Sequence, residues 1–258
     1  MNNPYKYILF ILFSAGLTAC TNSLYVKRGP QINISKSILE AENMDSIIDP
    51  YRNELAEKMN VEVARSEVNF IVQRPSSNLM NWMADAVFAN QTKNVRLSYP
   101  TFCLLNTGGI RSSLGIGPIS LGDLYKLMPF DNSIVWVRLP ISTLESIESY
   151  IEESGGEPIS NINIVNNIIE FNGFDRAKAT EFWVITSDYL YNGGDHMDFF
   201  QEGLGAIVGG SGNQSYGNYT TIVGGQLNYT YGFGDVALGG RENIISGGRA
   251  TVIGGQSN

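Results

Sequence analysis

Residues 106–111 read NTGGIR and combine residue types that suit an anion. Gly108 and Gly109 make the backbone flexible and leave its amides open to a negatively charged oxygen. Arg111 adds a planar guanidinium that matches the geometry of a phosphate. The segment by itself therefore indicates an anion site, and the remaining sequence must show which anion it binds.

Later segments add the other groups that a nucleotide needs. The motif YLYNGGD contains Tyr189, a second glycine pair and Asp195, and the motif MPF contributes Phe130. Two aromatic rings can sandwich a base, a carboxylate can accept two ribose hydroxyls, and the amide of Asn106 can read a base edge. With Arg111 for the phosphate, the set predicts a site for a nucleoside monophosphate.

Groups that could make or break bonds are scarce in the sequence. His196 is the single histidine, so histidine-rich zinc or dinuclear centres are not expected, and no G-x-S-x-G nucleophile motif occurs. We therefore predict no catalytic residue, no metal ligands and no cofactor on this chain. His196 is expected to be an exposed loop residue.

Helices and strands alternate around these motifs, which predicts an α+β domain with a mixed sheet. Ser76, Ser77 or Asn78 can cap a helix with one apolar face, and a strand through TFCLL leads into the glycine turn. Ser120 and Asp123 have the spacing of a capping box. Further predicted elements are a helix after Pro50, a strand SIVWVRLP, a helix ending at Gly155 and Gly156, and a strand FWVITSDYL.

Three motifs between about Arg74 and Phe200 resemble the C-terminal substrate-recognition domain of bacterial and animal 5'-nucleotidases. They are N-x-GGIR-x-S, G-x-IS-x-x-D-L-Y-x-x-x-PF and TSDYL-x-NGGD. The resemblance implies a base contact for Asn106, a phosphate contact for Arg111, and stacking on the base by Phe130 and Tyr189. It also implies ribose binding by Asp195 and a second phosphate contact by Arg74, in the segment RPSSNLMNWMAD.

In the full enzymes of this family, an N-terminal calcineurin-like metallophosphatase domain carries two metals that activate water. We find no such domain in this sequence, so a separate metallophosphatase polypeptide is expected to supply the divalent metals. The hypothesis is a nucleotide-recognition half of a phosphomonoester hydrolase. The chain departs from the family at His196 and Met197, and a glycine-rich repeat replaces the last helix.

Each site residue has a structural alternative. Asn106 and Asp195 can satisfy turn amides, Phe130 and Tyr189 can be core aromatics, and an arginine can serve as an ion-pair partner. The ion-pair alternative applies to Arg74 and Arg111, and the sequence leaves all of these alternatives open.

The N-terminus predicts export. Residues 1–19 have a short polar start with Lys6, an apolar run and small residues before Cys20. LTAC resembles a bacterial lipobox, which implies lipidation of Cys20 and anchoring to a membrane of the cell envelope; the alternative is an ordinary signal peptide. Residues 20–60 are a lead-in to the recognition domain at 61–203.

The composition gives two further expectations. A net charge of -8 argues against a nucleic-acid polymer as partner. Cys103 is expected to be a buried thiol.

Residues 204–258 repeat with a period of fifteen. Glycine pairs begin at Gly209, Gly224, Gly239 and Gly254, and asparagines recur at Asn213, Asn228, Asn243 and Asn258. The pattern predicts a separate parallel β-solenoid with glycines at corners and laddered asparagines; a flexible tail is the alternative.

The repeat resembles the head repeats of trimeric autotransporter adhesins and phage fibres, which implies a homotrimer. An alternative function is therefore a trimeric surface or fibre-type structural protein. Because the last repeat stops early, we expect a truncated or fused reading frame.

Overall fold

The computed structural model describes residues 42–210 and 212–257, and Arg52–Asn258 belong to one compact unit. Cys20 and the predicted signal peptide lie outside the described residues. The helices are α1 (Glu42–Met59), α2 (Asn78–Thr92), α3 (Leu121–Leu127), α4 (Leu144–Ser154) and α5 (Asp188–Tyr191). Within the described ranges, no helix is long and apolar enough to cross a membrane.

Fifteen strands occur in these residues. The first eight are β1 (Glu62–Ser66), β2 (Thr101–Leu104), β3 (Gly117–Ser120), β4 (Ile134–Pro140), β5 (Ile159–Ser160), β6 (Ile162–Val165), β7 (Ile168–Phe171) and β8 (Glu181–Ser187). The others are β9 (Gly205–Val208), β10 (Gln214–Ser215), β11 (Thr220–Val223), β12 (Tyr229–Thr230), β13 (Val236–Leu238), β14 (Ile244–Ile245) and β15 (Thr251–Ile253).

One eight-stranded sheet organises the unit. Its strand order is β15-β13-β11-β9-β4-β8-β2-β5. Strand β8 pairs antiparallel with β4 and parallel with β2, while β9 pairs antiparallel with β4. Three smaller sheets, β1-β3, β6-β7 and β10-β12-β14, complete the fold.

Helices pack on both faces of the central sheet at β8. Because side chains alternate along a strand, Val184 of β8 packs with Ile147 of α4, whereas Ile185 packs with Ala84 of α2. Cys103 packs in the same cluster as Ile185 and Ala84, and it is buried and free, as predicted. Burial, with a contribution from the charge of Asp85, raises the pKa of its thiol. The observed layers are therefore a mixed sheet between helices, in keeping with the α+β prediction.

Local capping signals are confirmed. The side chain of Ser77 accepts a hydrogen bond from the backbone N–H of Met80 at the start of α2. Ser120 and Asp123 form a complete capping box at α3, and hydrogen bonds from the Ser120 backbone and side chain lower the pKa of Asp123. Gly155 ends α4 with a φ of 78°.

Two predicted boundaries were wrong. Helix α1 begins at Glu42 and continues through Pro50, although a proline inside a helix removes one intrahelical hydrogen bond and crowds the carbonyl four residues earlier. Strand β8 ends at Ser187, where the predicted strand continued through Leu190. The hydroxyl of Ser187 accepts from the Leu190 N–H and starts helix α5.

The C-terminal repeat forms a parallel β-solenoid of about three turns. Paired strands are offset by fifteen residues, as in Thr221 opposite Val236. The predicted glycine corners are confirmed, since all eight paired glycines have positive φ. The asparagine ladder is confirmed too: Asn228 Nδ2 donates to Asn213 Oδ1 over 3.1 Å, and Asn243 Nδ2 donates to Asn228 Oδ1 over 2.8 Å. Asn258 lies outside the described residues.

The solenoid is continuous with the preceding sheet, so the expectation of a separate module was wrong. Strand β9 pairs with β4, which places Arg138 opposite Gly205. The Arg138 side chain is buried and donates to the carbonyls of Tyr216 and Gly217 and to Asn218 Oδ1. The predicted domain boundary after residue 203 therefore falls within one sheet, because β9 pairs antiparallel with β4 across it.

Candidate functional site

A cleft of about 520 Å³ contains four of the eight predicted binding residues: Arg74, Gly108, Tyr189 and Asp195. It is formed by the glycine turn after β2, the end of α4 and the segment after α5. The other residues that line it are Tyr150, Ser154, Glu157, Gly193, Gly194 and His196. The two sequence motifs, whose residues Asn106 and Asp195 are 89 positions apart, therefore meet at one opening.

Asp195 has an unusual backbone conformation and a well-defined carboxylate. Its φ is 51°, within the short 3-10 turn Gly194–His196. Oδ2 accepts a hydrogen bond from Asn106 Nδ2 over 2.6 Å, and Oδ1 accepts one from the Tyr189 hydroxyl over 2.8 Å. Each oxygen thus has one protein donor and keeps acceptor capacity for a ligand.

Tyr189 lies half exposed at the start of α5, and its ring rests directly on Gly194. A Cβ at Gly194 would lie 2.5 Å from the ring atom Cε1, so a glycine is required for this approach. The hydrogen bond to Asp195 raises the pKa of Tyr189, because the phenol donates the proton. The ring is therefore held against the backbone beside the carboxylate, where it could stack on a flat ligand.

The glycine turn is a 3-10 turn, Thr107–Gly109, that begins after Asn106. Gly109 is buried, and a Cβ there would lie 2.8 Å from Asn106 Oδ1. Its N–H donates to the Asn106 carbonyl over 3.2 Å. The amide of Gly109 is therefore already used by the turn, while the Asn106 side chain orients Asp195.

The two predicted phosphate arginines differ in their contacts. Arg74 lines the cleft, and its Nη2 donates to Glu157 Oε1 over 2.8 Å. Arg111 is exposed and does not line the cleft, but its Nη1 donates to the Gly108 carbonyl over 3.3 Å. Arg74 thus shares its charge with a carboxylate, whereas the observed bond of Arg111 is to a neutral group.

Phe130 does not contribute to the cleft. It is 49% exposed and absent from the lining residues, so the two predicted stacking rings, Phe130 and Tyr189, are not brought together at this cleft. His196 is exposed, as expected, but it also lines the cleft.

Sequence reasoning missed Tyr150 and Glu157. The Tyr150 hydroxyl donates to the Asp195 carbonyl over 3.0 Å; burial, followed by the charges of Glu157 and Asp195, raises its pKa to about 12. Glu157 accepts from the Thr107 N–H over 2.6 Å and from its hydroxyl over 2.7 Å. The glycine pair before Glu157 indicated a turn with positive φ. The sequence could not show what Glu157 contacts there, because Arg74 and Thr107 are distant in sequence.

In residues 42–210 and 212–257, no group of three or more His, Cys, Asp or Glu side chains is arranged to hold a metal ion.

Comparison with protein families gives a match over more than half of the chain. Residues 62–202 match the family model described as 5'-nucleotidase, C-terminal domain. The trifunctional nucleotide phosphoesterase protein YfkN of Bacillus subtilis is 30% identical over 118 residues, which are 42% of this chain and 8% of that protein. Protein UshA of Escherichia coli is 22% identical over 179 residues, which are 65% of this chain and 32% of that protein.

A solved structure is similar as well. The 5'-nucleotidase precursor of Thermus thermophilus aligns with a TM-score of 0.46 and 23% identity, covering 62% of this chain and 36% of that one. The chain spans about a third or less of the curated relatives it matches.

Proposed function

Because the chain belongs to the 5'-nucleotidase C-terminal domain family, we propose that it is the nucleotide-recognition part of a 5'-nucleotidase-type phosphomonoester hydrolase in nucleotide catabolism. The ligand is a nucleoside monophosphate or a related nucleotide. The observation that carries the proposal is the carboxylate of Asp195, fixed between Asn106 and Tyr189 at the rim of one cleft with Arg74.

Each residue takes a role that its chemistry allows. Asp195 accepts the ribose hydroxyls, Tyr189 stacks on one face of the base, and Arg74 and Arg111 contact the phosphate side. Phe130 moves to the ligand and stacks on the other face of the base. Gly108 and Gly109 let the glycine turn approach the ligand closely.

The role of Asn106 needs refinement. Its Nδ2 atom is the group that fixes Asp195 in this structure, so its other polar atom, Oδ1, is the one left to accept a hydrogen bond from a base.

The reaction itself needs chemistry that we assign to a metallophosphatase domain. That domain holds divalent metals, which activate water for attack on the phosphate monoester. In our proposal this chain contributes no catalytic residue: it binds and orients the nucleotide so that the phosphate lies at those metals.

Calorimetric titration of the purified protein with AMP, adenosine and ribose 5-phosphate tests the proposal. We expect AMP to bind more tightly than either fragment, because each fragment lacks one set of contacts. Phosphate release is expected only after a metallophosphatase domain is added. Failure to bind AMP and adenosine would overturn the recognition role, and metal-dependent release of phosphate by this chain alone would overturn the division of labour.

A second candidate function is a trimeric surface or fibre-type structural protein, favoured by one feature of the solenoid. Val223, Leu238 and Ile253 form a row at fifteen-residue spacing and are 41%, 38% and 77% exposed. An aliphatic row of this kind suits association with other copies. In solution, a stable trimer that ignores nucleotides favours this candidate, whereas a monomer that binds AMP favours the recognition role.

We further propose that the protein is exported and lipid-anchored in the cell envelope through Cys20. The support is the lipobox-like LTAC sequence. Labelling of bacteria that express the protein with radioactive palmitate is expected to mark the wild type and not Cys20→Ser. Equal labelling of both proteins would refute the anchor.

A further inference from the structure

Glu157 connects two segments of the cleft that are far apart in sequence. Its side chain is 2% exposed, whereas that of its partner Arg74 is 45% exposed. Oε1 accepts from Arg74 Nη2 over 2.8 Å, and Oε2 accepts from the N–H and the hydroxyl of Thr107 over 2.6 and 2.7 Å. One buried carboxylate therefore bonds to Arg74 and to the turn Thr107–Gly109.

The burial of this carboxylate has a physical consequence. A buried ionised carboxylate is costly unless it is hydrogen-bonded and paired, and here both oxygens have donors. The Arg74 side chain must therefore stay at Glu157 for the charge to be compensated. Because Arg74 is partly exposed at the cleft, the pairing fixes one side of the guanidinium and leaves its other donors for a ligand.

The backbone beside Glu157 is equally constrained. Gly156 has a φ of 114°, and a Cβ there would lie 2.1 Å from the carbonyl oxygen of Pro75. A Cβ at Gly155 would lie 3.7 Å from Arg74 Cδ. Gly156 thus allows the segment of Arg74 and Pro75 to approach the end of α4, which brings Arg74 within reach of Glu157.

We propose that Glu157 is a positioning residue for the phosphate contact. It holds the Arg74 guanidinium at the cleft. Through its bonds to Thr107, it also fixes the position of Arg74 relative to the glycine turn, whose first neighbour Asn106 orients Asp195. The phosphate end and the ribose end of the site are thereby set by one side chain. This inference rests on the proposed nucleotide-recognition function and names a residue to which neither the family motifs nor the sequence assigned a role.

The test compares Glu157→Gln with the wild type by calorimetric titration with AMP and with adenosine. The substituted side chain would be uncharged and would offer one acceptor oxygen, so the guanidinium loses its fixed place. We expect AMP affinity to fall roughly 3- to 10-fold, since small misplacements of a positioned group have effects of this order or larger. Adenosine affinity is expected to be unchanged, and in an Arg74→Gln background Glu157→Gln is expected to have little further effect.

Glu153→Gln is the matched control, because it removes the same charge from an exposed residue of α4, four positions before Glu157, that does not line the cleft. Equal loss of AMP and adenosine affinity in Glu157→Gln would indicate a structural role only. Tighter AMP binding would show that Glu157 competes with phosphate for Arg74. Either result overturns the proposal.

Two further measurements keep the test decisive. If Glu157→Gln does not fold, Glu157→Asp replaces it, because aspartate keeps the charge and withdraws the carboxylate by one methylene. If the wild type binds neither ligand, the proposed function fails. A double-mutant cycle of Glu157→Gln and Arg74→Gln on the free energy of unfolding then decides separately whether Glu157 fixes Arg74, and a coupling of zero would overturn that step.

Discussion

Asp195→Asn is expected to weaken AMP binding about 10- to 100-fold, the range for losing hydrogen bonds to a charged acceptor. Asparagine tolerates the left-handed backbone that residue 195 adopts, with a φ of 51°, so the change removes the charge without straining the turn. The amide nitrogen of the new asparagine would replace one carboxylate oxygen, so a donor would face the donor of Asn106 or of Tyr189 and that hydrogen bond would be lost. The site loses its proposed ribose acceptor and the carboxylate that holds the Tyr189 ring in place.

Calorimetric titration with AMP and with its 2',3'-dideoxy analogue measures this effect. The wild type is expected to prefer AMP, and Asp195→Asn is expected to lose that preference, because the carboxylate is the proposed partner of the two hydroxyls. Asp198→Asn is the control, since it makes the same change three positions away at an exposed residue outside the cleft. A variant that still distinguishes the two ligands would rule out ribose recognition by Asp195.

Arg138→Met is expected to lower the free energy of unfolding by about 3 kcal/mol, within the range for breaking a buried charged network. The methionine fills much of the space but cannot donate to the carbonyls of Tyr216 and Gly217. It also leaves Glu181, whose Oε1 lies 3.6 Å from Arg138 Nη1, without this partner. These contacts join the family domain to the first solenoid coil.

Denaturant unfolding followed by tryptophan fluorescence checks the stability change, since Trp136 and Trp183 pack at this junction. Arg241→Met is the control, because Arg241 is 55% exposed and pairs with a neighbouring glutamate on the surface of the solenoid. An exposed pair is worth about 1 kcal/mol or less. If the two variants lose the same stability, the Arg138 contacts do not hold the solenoid in place.

Several features of this protein follow from residues that are close in sequence. The capping box of Ser120 and Asp123 and the left-handed Gly155 depend on hydrogen bonds and dihedrals within one turn. The fifteen-residue repeat likewise predicted the parallel register, because each coil pairs with a copy of itself. The motifs around Asn106, Tyr189 and Asp195 indicated the residues of the candidate site for the same reason, since their types and spacing are local properties.

Other features depend on which distant segments meet. Arg74 and Glu157 are 83 positions apart, and no local pattern shows that they share a hydrogen bond or that Thr107 joins them. The same is true of Arg138, which bonds to the solenoid 78 to 80 positions later. Pairing of β9 with β4 joined two parts that sequence patterning had separated.

The sequence by itself therefore determined most of the local elements, the solenoid period and the residue types of the two candidate-site motifs. Only the tertiary structure decided that Phe130 lies away from the cleft, that Asn106 orients Asp195, and that Glu157 compensates Arg74. The physical reason is the range of the interactions. Caps and turns are satisfied within a few residues, whereas a buried charge takes whichever donor the packing of the sheet and helices brings to it.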